Sequence, residues 1–106
     1  MGGLGEVCGA VSGGVLAIGL LYGHDQAVGH DQAEEAMLEA HTKTAEFMRR
    51  FAEANGAVRC IDIIGLDVSS EEGIREYFAR NLKETCCGVV SSAVQVLLDL
   101  LEDWED

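Results

Sequence analysis

VCGAVSGGVLAIGLLY, residues 7–22, runs for sixteen positions without a charge. Two kinds of structure use such a stretch, a membrane span or the buried helix of a small bundle. A span needs about 20 strongly apolar residues. This run is shorter and holds four glycines, so it reads as a buried helix from about Val7 to Tyr22. Its small residues Gly9, Ala10, Gly13, Gly14 and Ala17 recur at spacings of three and four. A second helix can therefore approach closely. Each glycine costs roughly 1 kcal/mol of helix stability against alanine, a cost that points to a packing or functional reason.

The rest of the chain fits that start. The 106 residues suffice for one domain, 1–106, and not for two. A domain this small buries its apolar surface only in part, and a partner subunit would help. Hydrophobic residues make up 48%, enough to build a core. Proline is absent, which favours helices. Seven basic residues against 19 acidic ones give a net charge of -12. That excludes the basic footprint of nucleic-acid or anionic-membrane binding. The simplest account of the charge is a solvated acidic surface. No Lys or Arg precedes the apolar run, so a secretory n-region is not expected, and the expected location is the cytoplasm.

Outward from the first helix, the glycine-rich entry MGGLGE is not a dinucleotide fingerprint, since no third glycine follows at position 8. On the other side lies GHDQAVGHDQAE, a local duplication in a loop. His24 and His30, with Asp25 and Asp31, are candidate metal or cation ligands there, against the plainer expectation of an exposed polar loop. A second helix is expected from Asp31, capped with Glu34, to Asn55-Gly56. Its apolar stripe is Ala33, Met37, Ala40, Thr44, Phe47, Phe51 and Ala54. AVRCIDIIGLD, around Cys60, could be a short strand, but a buried helical turn is expected. Ser69 with Glu72 resembles a capping box for a helix to about Lys83, with Ile74, Phe78 and Leu82 on one face. The last helix is expected from Thr85 or Cys86, with Cys86, Val90, Ala93, Leu97, Leu100 and Trp104 in its stripe and a frayed acidic tail. The fold class is all-α, a small bundle of about four helices completed by oligomerisation.

Four cysteines carry the chemistry: Cys8, Cys60, Cys86 and Cys87. Without an export signal they are expected as reduced thiols, and no CxxC is present. Cys8 and Cys86 each fall at an expected helix start, where the macrodipole and free N–H groups favour a thiolate. Against this stands the habit of reduced cysteine to pack as a small hydrophobe. Cys86 and Cys87 are neighbours, and on a helix they point about 100° apart. One is expected inward and the other elsewhere.

These stretches resemble a known family. Cys8-Gly9-Ala10-Val11-Ser12-Gly13 within GGLGEVCGAVSGGVLAIGLLYG is similar to the CGAxxG signature of the redox-active C_GCAxxG_C_C family. FAEANGAVRCIDIIGLD and CCGVVSSAV are similar to its later cysteine-bearing segments, with Cys86 in the family position and Cys87 extra. Family members carry a helix and a further cysteine before the glycine-rich entry. Here the sequence starts at that entry, so a second subunit is expected to cover the first helix. The resemblance implies thiol redox chemistry or metal or cluster ligation, without an established substrate.

Two functions follow as expectations. The first is a thiol redox or metal-binding protein. Cys8 would be the reactive thiol and Cys60 and Cys86 its resolving partners. Alternatively Cys8, Cys60 and Cys86, with Cys87 or a histidine, would hold a metal ion or iron–sulfur centre. This requires that the three sulfurs converge. The second is a non-catalytic helical module with core cysteines that forms a homo-oligomer, a dimer above all. A redox partner protein belongs to the first, and neither involves nucleic acid or a membrane. No Ser-His-Asp arrangement, phosphate loop or two-carboxylate motif is visible, and the residues alone assign no reaction.

Overall fold

The computed structural model describes residues 2–23 and 30–104, the side chains of 30–32 excepted. The described residues form five helices: α1 (Gly9–Tyr22), α2 (His30–Asn55), α3 (Cys60–Ile64), α4 (Glu71–Ala79) and α5 (Lys83–Trp104). They contain no strand, only an isolated antiparallel bridge between Val7 and Arg59. The protein is all-α. The fifth helix arises because the segment around Cys60 forms a turn of its own. That turn is half-buried rather than buried, and the bridge supplies the partner that its sequence did not reveal.

The core lies among α1, α2 and α5. Val11 and Ile18 of α1, Phe47 and Phe51 of α2, and Val89, Ala93 and Leu100 of α5 are its buried apolar side chains. Gly14 explains the small-residue surface of α1. A Cβ there would lie 2.2 Å from Cζ of Phe47, so the ring packs directly on the α1 backbone. At the other end Asn55 closes α2 onto α5 by donating from Nδ2 to Oγ of Ser92 at 3.1 Å. Gly56, with φ +87°, ends α2 as expected and donates to the Ala52 carbonyl at 2.7 Å.

Several expected positions shift. Met37 and Ala54 of the α2 stripe are exposed. The last residues of α1 and α5, Tyr22 and Trp104, meet edge to face at 5.6 Å, and the Lys43 ammonium sits over both rings. Met37 lies beyond that level on α2. Trp104 is thus held in place rather than frayed. On α5 the core position is Val89, 7% exposed, and Val90 is 52% exposed. Val90 borders a groove floored by Gly9 and Gly13 of α1, which have no side chains to cover it. The cap of α4 is Ser70, whose hydroxyl accepts from the Gly73 N–H at 2.9 Å, and not Ser69. Ser69 is held by Asp67, which accepts from its N–H at 2.9 Å and from its hydroxyl. α4 ends at Ala79, before Lys83, because Asn81 turns the chain with φ +53°.

By length and composition, α5 is long and apolar enough to cross a membrane, and α1 is shorter. The buried side chains of α5 are Val89, Ala93 and Leu100, and Val90, Val94 and Leu98 are exposed.

Candidate thiol site

Three of the four cysteines meet at one end of the bundle. The glycine-rich entry and the segment before α3 run antiparallel there. Cys8 donates its N–H to the Val58 carbonyl at 2.9 Å, Cys60 donates to Glu6 at 2.6 Å, and Ile61 donates to Gly5 at 3.2 Å. Cys8 and Cys60 each lie one residue past the bridged pair Val7 and Arg59. Side chains alternate along extended backbone, so both thiols fall on the same face of this short ribbon. The chain then enters a helix on each side. Cys8 is the N-cap of α1, with φ -61° and ψ 136°, and its sulfur makes no capping bond. Cys60 is the first residue of α3.

Cys86 arrives from α5. Its helix begins at Lys83, earlier than expected, so Cys86 is not a helix start. Its N–H is already spent on the Leu82 carbonyl at 3.0 Å, which removes the free-amide argument for this residue. What positions Cys86 is the helical step to Val89. Cys8, Cys60, Cys86 and Val89, with Ile63 and Ile64, line a cavity of about 30 Å³. That is room for about one or two water molecules. Cys87, one step round the helix, is exposed and does not line it.

The electrostatics of the trio are uneven. Burial pushes the Cys60 thiol above its ordinary range, and the neighbouring Cys86 and Cys8 push it further in the same direction. Tyr77 of α4 faces Cys86. A hydrogen bond to Cys86, and then burial, hold the Tyr77 hydroxyl protonated to higher pH than usual.

A second, wider space opens on the outer side. Cys60 and Cys86 line it together with Ile64, Val68, Ile74, Tyr77 and Phe78, and its volume is about 340 Å³. Cys8 does not reach this groove. Tyr77 and the groove carried no signal in the sequence. A tyrosine in an amphipathic segment is unremarkable, and the helical spacing of Ile74 and Phe78 says only that they share one face.

Ligation of a metal ion is the other expectation for these sulfurs. The walls between the three sulfurs are aliphatic, and among the described residues no three His, Cys, Asp or Glu side chains are placed to hold one. His24 and Asp25, and the side chains of His30 and Asp31, lie outside the described residues.

Fold and site together define a class: a small helical protein built around three clustered thiols. The particular family follows from comparison of the whole chain. The sequence model of the family described as "Putative redox-active protein (C_GCAxxG_C_C)" matches residues 1–100, and the chain belongs to that family. No curated protein and no solved structure matches the chain.

Proposed function

We propose that this protein exchanges electrons as a dithiol–disulfide couple through Cys60 and Cys86, with Cys8 as a third sulfur able to take over the disulfide. The observation that carries this is the arrangement of Cys8, Cys60 and Cys86 around one small cavity. The family's description supports a general redox role. The first expectation made Cys8 the attacking thiol. The groove favours Cys86 instead, because Cys86 faces the outer space and Cys8 does not.

The steps balance as ordinary thiol–disulfide exchange. The Cys86 thiolate attacks one sulfur of a partner disulfide, and the partner's S–S bond breaks. The released sulfur takes up a proton. Cys60 then loses its proton and attacks the Cys86 sulfur of the mixed disulfide, releasing the second partner thiol. Two electrons pass from the two protein thiols to the partner, and two protons end on the partner's thiols. The raised Cys60 thiol stays protonated during the first step. Reduced thiols waiting for such a partner suit the cytoplasm.

The test is mild diamide oxidation of anaerobically purified protein, with disulfides mapped by mass spectrometry. The expected result is loss of two thiols per chain and a Cys60–Cys86 or Cys8–Cys60 disulfide, with the former abolished by Cys86→Ser. Four free thiols, or only intermolecular disulfides through Cys87, would overturn the proposal. Metal retained in the anaerobic protein would return the site to ligation.

A second role, self-association, has its own support. Leu16 and Leu20 of α1 and Val94 and Leu98 of α5 are exposed, beside an apolar groove of about 380 Å³ between these helices. Exposed apolar surface of this kind marks interaction sites. Sedimentation equilibrium of the wild type against Leu20→Glu tests it. A wild-type monomer would remove this role.

A further inference from the structure

The dithiol reading leaves open what approaches the thiols, and the groove beside them answers in chemical terms. We infer that the groove formed by α4 against Cys60 and Cys86 seats an uncharged, apolar segment of a partner polypeptide that carries the disulfide to be reduced. The inference rests on the dithiol reading.

Four observations point to this occupant. The groove is lined by both exchanging sulfurs, so a partner disulfide that reaches them through it brings its flanking groups along. Its remaining walls carry no charge, and Tyr77, the one hydroxyl, is engaged with Cys86. Phe78 is 71% exposed and Ile74 is 45% exposed, although α4 contributes no apolar side chain to the core. Folding does not require these two side chains where they stand. Finally, the other side of α4 is acidic: Asp67, Glu72 and Glu76 border a neighbouring depression, and the chain as a whole carries -12. Anionic disulfides are repelled there, whereas apolar side chains gain by leaving water. A space of about 340 Å³ is at the small end of binding sites and takes one or two side chains, not a folded surface.

The probes are three capped tripeptides, each supplied as its symmetrical disulfide: Leu-Cys-Phe, Glu-Cys-Glu and Lys-Cys-Lys. Reduced full-length protein carrying Cys87→Ser, so that the exposed thiol cannot react, is mixed with each. Released peptide thiol is followed by chromatography, and the protein disulfide is mapped. The apolar peptide is expected to be reduced about 10-fold faster than either charged one, a preference of about 1.4 kcal/mol. Phe78→Ser and, separately, Ile74→Ser are expected to bring the three rates to within about 3-fold of one another, about 0.7 kcal/mol, with the helical circular dichroism unchanged.

Equal rates in the parent protein would overturn the inference. So would a preference for the basic peptide, which would assign recognition to the acidic surface, or a preference that survives both variants. In each of those cases a Cys60–Cys86 disulfide still forms, and the dithiol reading stands. No exchange with any peptide and no such disulfide would overturn both.

Discussion

The three long helices and the α3–α4 arm are built on different principles. All the buried apolar side chains among the described residues belong to α1, α2 and α5. There Phe47 and Phe51 pack at 6.3 Å between centroids, and Phe47 rests on Gly14. The arm buries only Gly73. It is held by directed bonds: the Ser70 cap on Gly73, the Asp67 turn, and the backbone pairing of residues 5–8 with 58–61. Packing gives the bundle stability that is shared over many contacts. Caps and turns give the arm position at little cost in buried area, and leave Ile74 and Phe78 exposed at the mouth of the thiol groove. Packing and the lining of the outer groove therefore depend on different parts of a small chain, and substitutions should tell them apart.

The largest effect is expected in the bundle. Phe47→Ala removes a fully buried ring and should cost about 3–5 kcal/mol, read from urea unfolding of the reduced protein. A loss below about 1 kcal/mol would place the core elsewhere. Ser70→Ala comes next. It removes the α4 cap and should cost about 1 kcal/mol, while changing the reaction rate of Cys86 with an alkylating reagent. If that rate stays constant, α4 does not govern access to the thiols.

The smallest effect is one of pH. The folded Cys60 thiol titrates above its unfolded value, so between the two values the unfolded chain holds fewer protons than the folded one. Stability is then level below the ordinary thiol value of about 9.0, and falls as pH rises from there through the raised value. Urea midpoints measured from neutral to mildly alkaline pH should show this decline, and Cys60→Ser should flatten it. An identical slope in the variant would mean that burial of Cys60 does not set the alkaline limit.

The residue pattern by itself determined the class of fold and the candidate sulfurs. Absence of proline, helical spacing of Phe47 with Phe51 and of Ala93 with Leu100, and the Asn55-Gly56 stop are local signals, and local signals survive into the folded chain. The CGAxxG motif marked Cys8 in the same way. Tertiary structure decided the rest. Val89 and Val90 satisfy the helical period equally well, and only the glycine surface of α1 selects between them. Ser69 and Ser70 are both able caps, and the choice turns on Asp67, which accepts from the first and leaves the second to Gly73. The meeting of Cys8, Cys60 and Cys86 joins residues 52 and 26 positions apart in sequence. It depends on a one-residue bridge and on the return of α4 to α5. No local preference encodes a contact of that range, because its stability comes from burial and backbone pairing that exist only once the helices have packed.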